Sequence, residues 1–162
     1  MCLNDFSWEW PLLHLSEQKS NTMAISNHRK WLAWQKSYEL SGRIFNITKQ
    51  FPKEERYSLT DQIRRSSRSV TANIAEAGAK IFYPKHFVSK LSDSVGENYE
   101  TQTWLAFALA AEYITPQAYK DCIALSEEVG RLLNYMQYNH EKFTRGSHPI
   151  NKPRNTNRRP PH

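Results

Sequence analysis

Mostly apolar side chains recur at steps of three and four residues along three of four long stretches of this chain, and the first stretch carries apolar side chains from Trp31 to Phe51. In the second stretch these positions are Leu59, Ile63, Ser66, Val70, Ile74 and Ala77. In the third they are Val88, Leu91, Val95, Asn98, Gln102, Leu105 and Leu109. In the fourth they are Tyr119, Cys122, Ser126, Val129, Leu133 and Met136. Because this alternation is typical of long helices that pack at about 20°, we predict an all-α fold, an antiparallel up-down four-helix bundle.

Prolines separate the four stretches. Pro52, Pro84 and Pro116 lie 32 residues apart, and proline suits the first turn of a helix because its missing N–H would have no partner there. Glu54 and Glu55 follow Pro52, at a place where acids interact favourably with the helix dipole. The predicted helices cover residues 28–50, 54–80, 84–112 and 116–141.

The net charge of +6 is unevenly distributed over the 162 residues. All 16 acidic residues lie within residues 1–141, where 16 basic residues balance them. Residues 142–162 contain six basic residues and no acidic one. This segment is rich in Pro, Asn and Arg, and it has too little apolar surface to offset the entropy cost of ordering. We therefore predict a four-helix bundle over residues 28–141 and a disordered basic tail over residues 142–162.

Residues 1–27 are predicted to be a disordered N-terminal extension. Residues 1–22 contain no helical stripe, and a second methionine, Met23, opens the segment before the first predicted helix. We interpret residues 1–22 as an upstream extension, for which a start codon assigned too early is one explanation. The alternative interpretation is an N-terminal arm that docks Trp8 and Trp10 onto a groove.

The sequence contains no motif for catalysis, metal binding or membrane insertion. None of the six histidines follows Asp or Glu by three residues, so the Glu-x-x-His pairs of di-iron bundles are missing. Cys2 and Cys122 do not form a metal-type spacing, and Cys122 falls on an apolar stripe, which predicts a core residue. The longest uncharged apolar run, residues 104–111, is shorter than the roughly 20 residues of a membrane span. We expect a non-enzymatic cytoplasmic protein with no metal, no cofactor and no membrane partner.

Arg64, Arg65 and Arg68 share the outer face of the second predicted helix, because each residue turns that helix by about 100°. Asp61 and Glu76 lie on the same face, and we expect intrahelical pairs to neutralise part of the charge. The face is either a solvated surface with weak ion pairs or a patch for phosphates, to which arginine donates bidentate hydrogen bonds. In the second interpretation, the nucleic-acid-binding residues are Arg64, Arg65, Arg68, Lys80, Arg154, Arg158 and Arg159.

The third stretch and the segment before it hold more aromatic surface than one narrow helical seam can bury. The residues concerned are Phe82, Tyr83, Phe87, Tyr99, Trp104 and Phe107. Exposed patches of this kind usually mark an interface. We therefore expect the chain to associate with itself.

The run QIRRSSRSVTANIAE, residues 62–76, resembles the signature of the four-helix bundle proteins encoded in 23S rRNA intervening sequences. The segments WQKSYEL (34–40), FPKEE (51–55) and GENYET (96–101) are similar to the same family. Ala77 stands where the family usually has Gly, and Ala79-Lys80 replaces the usual Gly-Arg. We expect three polar residues in these motifs to be structural hydrogen-bonding groups, namely Asn73, Glu76 and Glu100.

The resemblance implies an antiparallel four-helix bundle that assembles as a ring, typically a homopentamer, and has no enzymatic activity. It also implies a relation to the accessory proteins of diversity-generating retroelements, which bind a reverse transcriptase and nucleic acid through a basic ring surface. The expected function is therefore that of a ring-forming accessory that binds RNA, DNA or a ribosomal ribonucleoprotein. The alternative is a homo-oligomeric protein–protein interaction module that does not bind nucleic acid directly.

Overall fold

The computed structural model describes residues 28–144. This part of the chain forms four α-helices, namely α1 (Leu32–Ile47), α2 (Leu59–Ala79), α3 (Pro84–Ala110) and α4 (Pro116–Tyr138). Short 3-10 helices lie at His28–Lys30, Thr48–Gln50, Lys53–Tyr57 and His140–Lys142. Each α-helix packs against two neighbours in the cyclic order α1, α2, α3, α4, and no strand occurs between residues 28 and 144. The predicted all-α four-helix bundle is confirmed.

The start of α2 differs from the prediction. Pro52 does not open α2, because the 3-10 helix Lys53–Tyr57 intervenes and α2 begins at Leu59. The carboxylate of Glu55 accepts hydrogen bonds from the backbone N–H of Leu59 at 3.2 Å and from the hydroxyl of Ser58. Glu55 thus satisfies a backbone donor that a helix start leaves unpaired. The prolines at the starts of α3 and α4 occupy the first turn as predicted.

The predicted stripes of α2 and α4 match the buried faces of those helices, except at the partly buried Tyr119. The α3 stripe is correct at Leu91, Asn98 and Leu105 but wrong elsewhere. The buried positions there are Phe87, Ser94, Thr101 and Ala108, each one residue before the predicted Val88, Val95, Gln102 and Leu109, which are partly buried.

The buried apolar side chains form two clusters. One cluster includes Val70, Phe87 and Leu133, and the other includes Ile63 and Leu105. Cys122 lies in the second cluster, where burial raises the pKa of its thiol. The prediction that Cys122 is a core residue is confirmed.

A layer of polar side chains is also buried in the bundle interior. The hydroxyl of Thr101 donates to Ser66 Oγ at 2.9 Å, and both side chains are fully buried. The Ser126 hydroxyl donates to Asn98 Oδ1 at 2.9 Å, while Asn98 Nδ2 donates to the Ser126 carbonyl at 3.0 Å. Gln102 Nε2 donates to the same Ser126 hydroxyl at 2.9 Å. Polar residues in the bundle interior, several of them on the predicted stripes, therefore hydrogen-bond one another across the helices, as most buried polar groups do.

The prediction of exposed aromatic surface is correct for some residues and wrong for others. Tyr99 and Phe107 on α3 are 59% and 57% exposed. Phe87, in contrast, is fully buried, and its ring packs against Trp31 through the edge and against Phe143 in a stack. Phe87 is therefore a core residue and belongs to no exposed patch.

Some predictions fall outside the described residues. They are the N-terminal extension over residues 1–27 and nearly all of the basic tail, with Arg154, Arg158 and Arg159. Within residues 28–144, no helix is long and apolar enough to cross a bilayer.

Candidate nucleic-acid interface

An open groove of about 570 Å³ runs along the exposed face of α2 and the 3-10 helix before it. We call it the arginine groove, and it is lined by Arg56, Tyr57, Thr60, Asp61, Arg64, Arg65, Arg68, Ser69 and Ala72. The prediction from helical spacing that Arg64, Arg65 and Arg68 share one surface is correct. A single acid, Asp61, stands among the four arginines that line the groove.

Arg56 and Tyr57 are groove residues that the sequence did not indicate. Arg56 lies seven residues, about two helical turns, before the buried Ile63, so an uninterrupted helix would point it toward the core. The 3-10 helix Lys53–Tyr57 breaks that register and leaves both side chains exposed. No proline or glycine marks the junction between this 3-10 helix and α2, so the sequence carried no local signal for the change.

Arg64 and Arg68 pack over an exposed aromatic ring of α1. Their guanidinium carbons lie 4.9 Å and 5.8 Å from the centroid of Phe45, and Lys49 Nζ lies 4.8 Å from it. Arg64 Nε also donates to Thr48 Oγ1 at 2.7 Å. Three cations thus surround one ring, an arrangement that the negative face of the ring favours.

Asp61 lines the same groove but forms no ion pair with its arginines among the described residues. Within residues 28–144, Arg56, Arg64 and Arg68 form no ion pair with a carboxylate. Burial lowers the pKa of Arg64, and the neighbouring charge of Arg68 lowers it further. The α1 side of the groove is therefore a region of positive potential.

Arg65 faces α3 and has carboxylate partners there. It lies 2.5 Å from Glu100 and 3.7 Å from Glu97. Burial raises the pKa of Glu97, as does the charge of Glu100, whereas Arg65 opposes this shift. The charge of Arg65 is thus partly neutralised by α3, whereas Arg64 and Arg68 on the same face of α2 have no carboxylate partner among the described residues.

The expected intrahelical neutralisation by Asp61 and Glu76 is wrong. Glu76 pairs with Lys90 of α3 at 2.7 Å, and between residues 28 and 144 Asp61 forms no ion pair. The neutralising acids come from α3, because α2 and α3 pack along much of their length and side chains at that boundary meet across it.

Lys80 lies away from the groove. It is the C-cap residue of α2, and its side chain is exposed. It lies 12 residues after Arg68, which corresponds to about 18 Å along a helix axis. The predicted set of binding residues placed Lys80 with the arginines. The structure does not bring it together with them.

The three motif residues predicted to be structural lie at the boundary between α2 and α3. Lys90 Nζ is 3.5 Å from Asn73 Oδ1 and pairs with Glu76. Glu100 accepts hydrogen bonds from Arg65 and from Trp104 Nε1, the latter at 3.0 Å. Each of these residues thus has a polar contact that joins the two helices or orders a side chain between them.

A second groove opens on the α3 side of α2. We call it the aromatic groove, and it is lined by Glu55, Ser58, Leu59, Gln62, Trp104, Phe107, Ala111 and Tyr113. The hydroxyl of Tyr113 donates to Glu55 at 3.3 Å. Hydrogen bonds from Ser58 and the backbone of Leu59 lower the pKa of Glu55. Within residues 28–144, no group of His, Cys, Asp or Glu side chains could hold a metal ion.

Comparisons with known proteins indicate one family. The family model for 23S rRNA-intervening sequence proteins matches residues 29–135. A crystal structure from Bacteroides thetaiotaomicron VPI-5482, of a protein with unknown function from the S23 ribosomal protein family, is 33% identical in sequence with a TM-score of 0.60. The match covers 65% of this chain and 95% of that chain. No curated protein matches significantly.

Proposed function

Because the chain belongs to the 23S rRNA-intervening sequence protein family, we propose that it is a non-enzymatic, ring-forming accessory that binds RNA or DNA through the arginine groove. The bound nucleic acid is free or part of a ribosomal ribonucleoprotein. The proposal includes a relation to the accessory proteins of diversity-generating retroelements, with a reverse transcriptase as a further candidate partner.

One observation carries this proposal. Arg56, Arg64 and Arg68 line one groove without a carboxylate partner among the described residues. Of the four arginines that line the groove, only Arg65 has ion pairs of the kind expected for the alternative, a solvated face with weak ion pairs, among the described residues. Arginine forms a planar fork that matches phosphate oxygens and remains charged at all physiological pH values. The unpaired arginines therefore favour a phosphate ligand.

A ring would strengthen binding without adding a new type of contact. In the proposed homopentamer, five arginine grooves and five basic tails engage one nucleic acid. Once one groove is occupied, the next binds at a high effective concentration. Weak contacts at each groove are thus sufficient for useful affinity.

Salt titration of nucleic-acid binding tests the proposal. Each phosphate contact contributes about −0.9 to the log–log slope for duplex DNA and about −0.7 for single strands. Arg64→Glu combined with Arg68→Glu is expected to remove most of the binding and to flatten this slope. Lys85→Glu combined with Lys120→Glu is the matched control, because it changes the net charge equally at exposed residues outside the groove. Equal losses in both double variants would show that net charge, and not the groove, attracts the nucleic acid.

The second candidate function is a homo-oligomeric interaction module that does not bind nucleic acid. Tyr99 and Phe107 favour it, because each leaves more than half of its surface exposed on α3. Light scattering measures the mass of the assembly, which we expect near five times 19.0 kDa. A pentamer whose binding to any nucleic acid is absent at low salt would favour this candidate, and a monomer would contradict the ring in both.

A further inference from the structure

The arginine groove presents the aromatic ring of Tyr57 as well as cations. Tyr57 is 84% exposed, and the guanidinium carbon of Arg56 lies 5.5 Å from its ring centroid. Phe45, beside Arg64 and Arg68, is 39% exposed. We propose that the groove binds single-stranded nucleic acid in preference to duplex, with a base stacked on Tyr57 and phosphates held by Arg64 and Arg68. This inference rests on the proposed nucleic-acid binding and specifies its ligand.

The two arginines are positioned in advance for consecutive phosphates. Arg64 and Arg68 are one turn apart, about 6 Å along the axis of α2, which is similar to the spacing of successive phosphates in an extended strand. Arg64 donates its Nε–H to the hydroxyl oxygen of Thr48. The terminal amino groups of Arg64 therefore remain available to donate to a phosphate. Phe45 supports both guanidinium groups. Less side-chain entropy is therefore lost when a phosphate binds.

Tyr57 offers a surface that only an unpaired base can use. Bases of single strands stack on exposed aromatic side chains, and any base has a suitable face. In a duplex both faces of nearly every base are already covered by stacking. A ring as exposed as that of Tyr57, next to a row of arginines, therefore distinguishes the two forms of nucleic acid.

The shape and charge of the surroundings also disfavour duplex. A recognition helix enters the major groove of DNA, which is about 12 Å wide, but α2 packs against α1 on one side and α3 on the other. The carboxylates of Glu97 and Glu100 on the α3 side repel a second phosphate backbone. One strand that follows the α1 side meets cations and aromatic rings without meeting these acids.

Fluorescence anisotropy with labelled oligonucleotides tests the inference. The probes are oligouridine RNA and oligothymidine DNA of about 12 nucleotides, a mixed-sequence duplex of equal length, and polyglutamate as an acidic peptide. We expect the wild-type protein to bind the single strands about tenfold or more tightly than the duplex. Tyr57→Ala should weaken single-strand binding by about fivefold to a hundredfold and leave duplex binding unchanged, whereas Tyr57→Phe should preserve both.

Each other result has a separate meaning. Equal affinity of the wild-type protein for single strands and duplex, or wild-type binding by Tyr57→Ala, overturns the single-strand inference and leaves the proposed function intact. Binding of polyglutamate as tight as that of oligouridine also overturns it, because the groove would then recognise charge alone. No binding of either nucleic acid at low salt overturns the proposed function itself. Circular dichroism and light scattering must show wild-type helicity and mass for each variant.

Discussion

The two flanks of α2 carry arginines of the same helix in opposite electrostatic settings. On the α1 flank, Arg64 and Arg68 pack over Phe45 and have no carboxylate partner among the described residues. On the α3 flank, Arg65 pairs with Glu97 and Glu100. The neighbouring helix thus decides whether an arginine is available to a ligand, although all three residues lie on one face of α2.

The difference also explains why two unlike grooves lie on the same helix. The arginine groove combines cations with the exposed ring of Tyr57, and Phe45 of α1 supports two of its arginines. The aromatic groove combines Trp104 and Phe107 with the acid Glu55. The charges therefore favour a polyanion on the α1 flank over one on the α3 flank, in agreement with the proposed ligand of the arginine groove.

The largest expected effect comes from making the α1 flank resemble the α3 flank. Phe45→Glu places a carboxylate beside Arg64 and Arg68 and removes the ring that supports them. We expect nucleic-acid affinity to fall by about tenfold or more, and the salt slope for single strands to become shallower by about 1.4, the value of two lost phosphate contacts. Anisotropy titrations over a range of salt concentrations measure both quantities.

Phe45→Leu is the control for the loss of the ring alone. It keeps an apolar side chain at a partly exposed position, so its salt slope should stay near that of the wild-type protein. A Phe45→Glu variant that binds as tightly as the wild type would mean that Arg64 and Arg68 are not the phosphate contacts.

A smaller effect is expected when the tail is removed. Deletion of residues 144–162 removes five basic residues of the tail and leaves Arg56, Arg64 and Arg68 in place along the arginine groove. We expect binding to weaken by about threefold to tenfold, with a strong dependence on salt and an unchanged preference for single strands. Complete loss of binding after the deletion, with unchanged helicity and mass, would make the tail the principal site.

A gain of binding is expected when the α3 flank is made to resemble the α1 flank. Glu97→Gln combined with Glu100→Gln frees Arg65 from its carboxylate partners. We expect affinity to rise by about threefold and the salt slope for single strands to become steeper by about 0.7, the value of one added contact. The matched control is Glu127→Gln with Glu128→Gln on α4, which changes the net charge equally and should leave the slope as it is.

The four helices and most of their buried positions could be predicted from the sequence, because the stripes depend only on helix geometry. On α3 that geometry did not separate the partly buried Val88, Val95 and Leu109 from the buried residues one position before them. Even the polar positions of the stripes, such as Asn98 and Ser126, are fully buried as that geometry requires. The clustering of Arg64, Arg65 and Arg68 followed from the same reasoning. These results depend on residues within one helix or on faces that repeat along it.

The partners across helices could not be predicted in the same way. A stripe shows which face of α2 is inside, but not whether α1 or α3 lies beside a given edge, since a bundle can turn in either direction. Arg65 and Glu100 are 35 residues apart in sequence, and their contact depends on that choice. The 3-10 helix Lys53–Tyr57 changes the register without a proline or glycine at its junction with α2, so Arg56 and Tyr57 were not expected in the groove.

The smallest expected effect concerns the pH dependence of stability on the α3 flank. The pKa of Glu55 is lowered in the folded protein by hydrogen bonds from Ser58 and the backbone of Leu59. A lowered pKa means that the carboxylate stabilises the fold above its ordinary value of 4.5 and that this contribution is lost as the pH falls through the folded-state value. Glu55→Gln should therefore lower the unfolding temperature at pH 7, with the difference from the wild type shrinking below about pH 4.5.

Glu97→Gln gives a control of opposite sign on the same flank. Burial raises the pKa of Glu97, so this group favours the folded state when it is protonated and loses that contribution as the pH rises through the raised value. At pH 7 the Glu97→Gln variant should be at least as stable as the wild-type protein, and the two should converge in acid. Thermal unfolding followed by circular dichroism over the acid range measures both series. A Glu55→Gln difference that stays constant down to the most acidic pH would mean that Glu55 stabilises α2 through packing and not through its charge.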